Sequence, residues 1–340
     1  MNELLERLSI ARGVAGHEGE VRAILRKHVA PHVDEIAVDS IGNLIARKAG
    51  PQDPPGQRVL LAAHMDEVGA IVMRCNSDGT VKFRSIGGLD PRILPGKRVR
   101  IGADAVPGVI MRAPHAARAG SRVAPIADLL IDTGGAGGIQ AGDMITFESD
   151  YEQFGRLLKG KAFDDRVGCY ILAQLLQEDF PCQLVGAFTV QEEIGLRGAR
   201  VAAYAVEPDL AVALEGTVAD DLPREEDVSP TTELGKGPAV SVMDRSAHAD
   251  RRLVRILTQT ADAHNIPYQI KQPGVGGTDV GAIHLARSGV PSVAVAVPCR
   301  YIHTPAALMD PADVENTIEL MKHALAGSLA RPLEAAGSEK

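Results

Sequence analysis

The chain has 340 residues, 45% of them hydrophobic, so it can bury a sizeable core and is long enough for a large domain plus a smaller one. Lys and Arg number 36 against 44 Asp and Glu, a formal charge of -8 without a dense basic run, which argues against a nucleic-acid partner. Aromatic residues make up only 3% and Trp is missing, which disfavours a sugar-stacking cleft or an aromatic nucleic-acid platform. No apolar run approaches the roughly 20 residues of a membrane helix. Met1 to Ala15 mixes charged and apolar residues without the apolar stretch of a signal peptide, so no membrane partner is expected and the expected location is cytoplasmic. Cys75, Cys169, Cys182 and Cys299 form no close pair, and reduced, mostly buried thiols are expected.

Leu4, Leu5, Leu8 and Ile10, then Val21, Ile24, Leu25 and Val29, recur at helical spacing and predict two amphipathic helices around a turn at Gly13–Gly16. Ile36–Val38 and Leu44–Ala46 flank Ser40-Ile-Gly-Asn43 as a hairpin. Val59–Ala63 is a continuous apolar run of strand length, the pattern of a strand buried on both faces, and it ends at His64. From Val68 to Leu157 the texture changes to short strand-like pieces separated by Gly and Pro turns: Ala70–Arg74, Val81–Arg84, Arg98–Ile101, Gly108–Met111 and Met144–Phe147. This predicts an all-β insert, with a flexible loop at Gly134–Gly138.

Alternation of strands and helices then resumes. Helices are expected at Val167–Gln177, Gly198–Ala205, Ala249–Ala263, Asp279–Arg287 and Pro311–Leu329, and strands at Leu184–Val190, Leu210–Leu214, Ala239–Val242, Tyr268–Lys271 and Ser292–Val297. The expectation is an α/β fold with a mainly parallel sheet flanked by helices, followed by a polar tail after Arg331. Residues 1–67 and 158–340 would form this larger domain, and residues 68–157 the inserted small all-β domain.

Five acid or imidazole clusters lie far apart along the chain: His64-Met65-Asp66, Asp164-Asp165, Glu192-Glu193, Glu215 and His303. Together they supply what two divalent ions sharing a water require: imidazoles, a bridging carboxylate, further carboxylate ligands and one uncoordinated carboxylate to move protons. Four of the five fall at or just past predicted strand ends, where open α/β sheets place their sites. His64 and Asp66, two apart, can face one crevice, with Asp66 accepting the other ring N–H of His64. One of Asp164 and Asp165 could bridge two ions while the other caps a helix, although adjacent acids at a helix start are more often only caps. One of Glu192 and Glu193 could ligate while the other stays free as general base. Glu215 ends a buried strand and needs a partner there, with Asp220 and Asp221 as competitors. The remaining histidines, among them His115, lack such carboxylate neighbours and read as surface or core residues. Gly274–Gly281 reads as a substrate-side loop, with Thr278 and Asp279 a helix cap in the plainer reading.

The segments Gly13-Val-Ala-Gly-His-Glu18, Ala63-His-Met-Asp-Glu-Val-Gly69, Lys161-Ala-Phe-Asp-Asp-Arg166, Gln191-Glu-Glu-Ile-Gly-Leu-Arg-Gly198, Leu214-Glu-Gly-Thr217, Val242-Met-Asp-Arg245, Gly276-Gly-Thr-Asp279 and Arg300-Tyr-Ile-His-Thr-Pro305 run in the order of the M42 metallo-aminopeptidases, which the chain closely resembles. That family includes tetrahedral and glutamyl aminopeptidases and some members labelled endoglucanase. The resemblance implies a zinc-peptidase-like catalytic domain, a β-barrel-like dimerisation insert and two divalent ions per subunit, Zn or Co before Mn. It implies that His64, Asp164 and Glu215 hold one ion and Asp164, Glu193 and His303 the other. Glu192 would be the general base on the shared water and Asp66 would orient His64. Peptides with a free N-terminus would be the substrates, and a homo-oligomer built from dimers, up to a dodecamer, the assembly. Two departures stand out: the family often has Asp where this chain has Glu215, and the stretch Gly134–Gln140 is shorter and less charged than usual. The rival readings are a metal-dependent deacylase of N-acyl amino acids or peptides, a glycoside hydrolase, which needs paired carboxylates and no metal, and a non-catalytic assembly or binding protein.

Overall fold

The computed structural model describes residues 3–50, 57–112, 123–223 and 228–333. His115 and the last residues of the polar tail, 334–340, lie outside these. Helices α1 (Glu3–Ile10) and α2 (Gly19–Val29) are followed by the hairpin β1 (Glu35–Val38) and β2 (Leu44–Lys48) and by β3 (Arg58–His64). Six strands come next: β4 (Gly69–Cys75), β5 (Thr80–Ile86), β6 (Arg98–Ile101), β7 (Val106–Arg112), β8 (Leu129–Asp132) and β9 (Met144–Phe147). After them come β10 (Glu152–Phe154), β11 (Leu157–Gly160), α3 (Phe163–Leu175), β12 (Gln183–Thr189), α4 (Arg197–Val206) and β13 (Leu210–Val218). The chain continues through β14 (Ala239–Ser241), α5 (Arg251–His264), β15 (Gln269–Lys271), α6 (Val280–Ile283), β16 (Ser292–Arg300), β17 (Ala307–Met309) and α7 (Pro311–Ala326). Among the described residues no helix is long and apolar enough to cross a membrane.

The large sheet runs β1-β2-β12-β3-β13-β16-β17-β11-β10, with β14 paired to β16 and β15 beyond it. The core of this order, β12-β3-β13-β16, is parallel, as expected. The sheet as a whole is mixed rather than mainly parallel, because β1–β2, β2–β12, β16–β17, β17–β11, β11–β10 and β14–β16 are antiparallel. Short returns such as those joining β1 to β2 and β10 to β11 leave no room for a crossover helix, so they can only pair antiparallel.

The apolar run in β3 is buried on both faces. Val59, Leu61 and Ala63 point into the core shared with α1, α2, α3, α5 and α7, while Leu60 and Ala62 face α4 and α6. Strand alternation sorts size as well as side: β13 and β16 put Val212, Leu214, Val293 and Val295 on the first face and Ala211, Ala213 and Ala294 on the second. Small residues on that second face, met by Ala199, Ala202 and Ala203 of α4, let helix and sheet approach closely.

β4-β5-β8-β7-β6-β9 close into a small barrel around Val72, Phe83, Val99, Ile101, Ile131 and Ile145. The expected short strands are all present, and β8 joins them. Gly134–Gly138 lies exposed in the connection from β8 to β9. The barrel ends with β9; β10 and β11, on either side of the expected boundary near residue 158, both belong to the large sheet.

A buried ionic knot ties the amino-terminal segment to the end of β3 and the start of α3. Lys161 Nζ donates to both Glu67 carboxylate oxygens at 2.6 and 2.7 Å and to the Ala11 carbonyl at 2.9 Å. Arg166, with no exposed surface, donates to the carbonyls of Leu8, Ala11, Gly13 and Met65 and lies 3.4 Å from Glu67. Burial pulls the Lys161 ammonium down to about 8, and Glu67 opposes that pull. Replacing Glu67 by glutamine leaves two buried cations without their counter-charge, so E67Q should lower the unfolding free energy by about 3–5 kcal/mol in denaturant titrations. A loss below about 1 kcal/mol would show that the knot is not what holds this junction.

Candidate active site

His64 closes β3, Glu192 and Glu193 follow the end of β12, and His303 lies just beyond β16. Glu215 departs from its expected place: β13 runs on to Val218, so Glu215 sits inside the strand, opposite Ala296 of β16. Asp164 and Asp165 open α3 with non-helical backbone angles, which turn the two carboxylates to different tasks. Gly168 fixes how closely α3 approaches the sheet, since a Cβ there would stand 2.4 Å from the Leu214 carbonyl oxygen. Several non-glycine residues around the site hold positive φ: Ala162, Gln191, Leu196, Tyr301 and His303. Such conformations cost energy and persist only where the surroundings enforce them.

These residues converge on one crevice. His64 Nε2 lies 3.1 Å from Asp164 Oδ1, 3.7 Å from Glu215 Oε2 and 3.8 Å from Glu192 Oε2. His303 Nε2 lies 3.3 Å from Asp164 Oδ2 and 3.3 Å from Glu193 Oε1. Asp164 thus faces both imidazoles, one with each oxygen. On the opposite side of each ring, Nδ1 meets a main-chain carbonyl: Asp66 at 3.0 Å for His64 and Gly88 at 2.9 Å for His303. A carbonyl only accepts, so Nδ1 carries the hydrogen in both rings. Each Nε2 then aims a lone pair at carboxylates unless a proton or a cation lies between them.

The titration behaviour expresses the same crowding. Burial pushes Glu193 up to about 7 against the pull of His303, and Asp279 up to about 6. Burial likewise drives Glu192 and Glu215 well above the usual carboxylate range. Burial alone would lower the histidines. The surrounding acids overcome it, raising His64 through Glu192, Asp164 and Asp66, and His303 to about 9 through Asp164 and Glu193. For Asp164, burial is outweighed by the two imidazoles, which hold its carboxyl below the usual range.

The donor set fits divalent cations. His64, Asp165 and Glu215 present ligand atoms within 4.8 Å of one another, as do Asp164, Glu193 and His303. Glu193 Oε1 is buried without a hydrogen-bond partner, a cost that a cation at this point would remove. Asp165 and Asp164 are not equivalent candidates for the first group. Asp165 accepts the His64 main-chain N–H at 3.0 Å and the Gly168 N–H at 2.9 Å, so its oxygens are already committed, while Asp164 directs both of its oxygens into the crevice.

Every residue singled out from the sequence is therefore in one place, and the competitors are not. Asp220 accepts from Thr231, and Asp221 pairs with Arg300. Asp66 differs in detail: its main-chain oxygen is closer to the His64 ring than its carboxylate, which lies 3.6 Å away. That carboxylate accepts the main-chain N–H groups of Glu192 at 2.9 Å and Glu193 at 3.1 Å, setting the turn that carries both glutamates. Sequence reasoning missed two further carboxylates. Glu18 accepts from Gly16 and Gln191 and so braces the same turn. Asp279 makes no helix cap; it takes the Thr189 hydroxyl at 2.5 Å while its N–H donates to Glu215. Its position directly after Gly276-Gly-Thr278 was the only available signal.

The M42 glutamyl aminopeptidase family profile matches residues 42–320. The lysyl aminopeptidase of Pyrococcus furiosus is 30% identical over 340 residues, covering 94% of this chain and 95% of its own length. Among solved structures, an aminopeptidase from Desulfurococcus kamchatkensis superposes with a TM-score of 0.91 at 31% identity, covering 96% of this chain and 94% of the other. The TET1 peptidase of Pyrococcus horikoshii, which can assemble into a tetrahedron or a large octahedral shell, gives a TM-score of 0.83 at 29% identity, covering 96% and 99%. With a matching profile over most of its length and relatives that agree from end to end, this chain belongs to the M42 glutamyl aminopeptidase family of peptide-bond hydrolases.

Proposed function

We propose that the chain releases N-terminal residues from peptides at a site for two divalent cations, with Glu192 as the proton carrier. The observation that carries this reading is the pair of imidazoles whose Nδ1 atoms are engaged by carbonyls, which leaves each Nε2 as the titrating, ligand-capable nitrogen, and whose Nε2 atoms face Asp164 from both sides. His64, Asp164 and Glu215 would hold one ion, and Asp164, Glu193 and His303 the other. Bound there, divalent ions supply Lewis acidity for the peptide carbonyl, lower the pKa of a water and give a free α-amine something to bind.

Glu192 belongs to neither cluster of ligand atoms, yet its carboxylate reaches within 3.8 Å of His64 Nε2. It is free to take a proton from the attacking water and return it to the departing amine nitrogen. Burial pushes its pKa up from the usual carboxylate range, which makes it a stronger base than a free glutamate. Asp66 keeps that carboxylate in place by binding the Glu192 N–H, and Asp165 keeps His64 in place by binding its N–H. Family membership leaves the preferred residue open, since the family description names glutamate and the Pyrococcus furiosus relative is named for lysine.

The assembly of the TET1 peptidase supports a homo-oligomer here as well. We infer that the barrel β4 to β9, the part of the expected insert 68–157 that stays outside the large sheet, carries subunit contacts; it exposes Met73 and Val109. Sedimentation should give a mass several times 35.9 kDa. A monomer at micromolar concentration would remove the assembly.

The decisive test is turnover of free and N-acetylated peptides by chelator-treated protein before and after Zn, Co or Mn is restored. Metal-restored release from free peptides only, lost by about 100-fold or more in E192Q with metal still bound, is the expected result. H64A should instead fail to retain metal. Release only from acetylated peptides would make the enzyme a deacylase, and metal-independent turnover would overturn the two-cation reading.

Metal uptake should also depend on pH. In the metal-free site His303 holds its proton up to about 9 and Glu193 up to about 7, and both must lose it to become ligands. Apparent affinity should therefore rise between pH 6 and 8 by roughly tenfold or more, with proton release visible in calorimetry across buffers of different ionisation enthalpy. Uptake without proton release would show that these groups are not the ligands.

A further inference from the structure

The loop that carries Glu192 is held from the side of β3 by Asp66, and a second set of contacts closes it at its neck. Pairing of β2 with β12 stops at Leu44 and Phe188, and β12 itself ends at Thr189, so the next main-chain groups have no neighbouring strand to bond. Asn43, which directly precedes β2 and has no exposed surface, takes over there. Its Oδ1 accepts the Val190 N–H at 3.0 Å, and its Nδ2 donates to the Gly198 carbonyl at 2.9 Å. The Gly198 N–H in turn donates to the Val190 carbonyl at 2.9 Å. Residues 191–197 thus form a closed loop. Inside it the Glu192 carbonyl accepts from the N–H groups of Gly195 at 2.8 Å and Leu196 at 3.0 Å, while Gln191, Gly195 and Leu196 hold positive φ.

An amide suits this place because it offers an acceptor and two donors on one short side chain. The second Nδ2 hydrogen goes to Asp39 Oδ2 at 2.7 Å, and Asp39 Oδ1 accepts the main-chain N–H groups of Ile41, Gly42 and Asn43. The turn of the β1–β2 hairpin therefore orients the amide that clamps the loop. With Oδ1 facing an N–H and Nδ2 facing two oxygens, only one placement of the amide is consistent with its partners. Gly198 completes the fit from the other side: a Cβ there would stand 2.4 Å from Asn43 Oδ1 and 2.4 Å from the Val190 carbonyl oxygen. A larger residue would force the neck apart.

We propose that Asn43 is a positioning residue for Glu192: by joining Val190 to Gly198 it closes the loop on which the proton-carrying glutamate stands, and so sets the rate of turnover. The proposal rests on the aminopeptidase reading above and adds to it a part played by the edge of the sheet. Asp66 fixes the Glu192 N–H from one side, and Asn43 fixes both ends of the same loop from the other. Without the clamp the loop has only its inner support and can swing about it. A displacement of about 1 Å at a proton-transferring carboxylate costs up to roughly 100-fold in rate. Because Glu192 is no ligand in that reading, the loss falls on kcat and leaves KM and metal content in place.

The test follows turnover of the p-nitroanilides of Glu, Leu and Lys by the metal-loaded full chain, and compares the isosteric N43D with D39N, which keeps Asn43 but loosens its orientation. N43D sets an oxygen against the Gly198 carbonyl and the Asp39 carboxylate, so kcat should fall by roughly 10- to 100-fold with KM within about twofold of wild type. D39N should lose roughly 3- to 10-fold. In an E192Q background neither change should lower the residual kcat further, since Asn43 acts through Glu192; an equal loss in both backgrounds marks general structural damage and overturns the proposal. Independently of activity, amide exchange within residues 190–198 of metal-free N43D should quicken by roughly tenfold or more while β3 and α3 keep their protection. Wild-type kcat or unchanged exchange in N43D overturns the proposal. Should N43D not fold, D39N decides it in the same way. A loss cured by excess metal traces to Glu193 instead and also overturns it. Full activity of E192Q removes the proton carrier and this proposal with it, whereas no release by wild type from any of the three substrates overturns the aminopeptidase reading itself.

Discussion

A surplus of buried negative charge at the C-terminal end of the parallel strands is the constraint on which the rest of the molecule turns. Asp66, Asp164, Asp165, Glu192, Glu193, Glu215 and Asp279 interact with one another around His64 and His303. Buried carboxylates persist only if paired, hydrogen-bonded or protonated. Two of them are satisfied by protein alone, Asp66 and Asp165 by main-chain N–H groups, while Asp279 takes the Thr189 hydroxyl on one oxygen and buries the other without a hydrogen-bond partner. Asp164, Glu192, Glu193 and Glu215 keep oxygens directed at the imidazoles instead, and this set calls for added positive charge. Satisfied acids hold the geometry, and the unsatisfied ones are those to which the proposed function assigns cation binding and proton transfer.

The contrast with the knot of Lys161, Glu67 and Arg166 shows what burial looks like when no ligand is needed. That knot lies next to Asp66 in sequence and on both sides of Asp164, yet it closes on itself: the one acid meets two cations, and the remaining guanidinium hydrogens go to four carbonyls. Because Arg166 binds the Met65 carbonyl while Asp165 binds the His64 N–H, α3 grips the end of β3 from two directions. His64 and Asp164 come to lie 3.1 Å apart from positions a hundred residues apart in sequence. The site is thus braced by a neighbour in which each buried cation has its partners within the protein.

Much of this was legible in the chain. The apolar run Val59–Ala63 announced a strand buried on both faces, and five chemical clusters, four of them at or just past predicted strand ends, announced the crevice. What was not legible follows from physics that local pattern does not carry. β10, β11 and β17 are short and receive their order from pairing with one another, not from periodicity. The antiparallel edges depend on which strands meet, which alternation alone leaves open. Asp66 was placed beside the correct histidine, but the choice between its carboxylate and its carbonyl depends on where the Glu192 turn lies. Asp279 looked like a helix cap because Thr-Asp before a helix usually is one; only the close approach of Glu215 and Thr189 turns it into the site.

The barrel is not an accessory to this arrangement. The loop leaving β5 brings the Gly88 carbonyl to His303 Nδ1, and a Cβ on Gly87, whose φ is +75°, would stand 3.2 Å from Glu193 Oε2. The second imidazole therefore takes its tautomer from the loop after β5, while the first takes it from the end of β3. A crevice built in this way divides its support: β3, β12 and β13 with α3 hold the acids and His64, the loop after β5 fixes His303, and the glycine loop after β15 lines the same crevice from the other side.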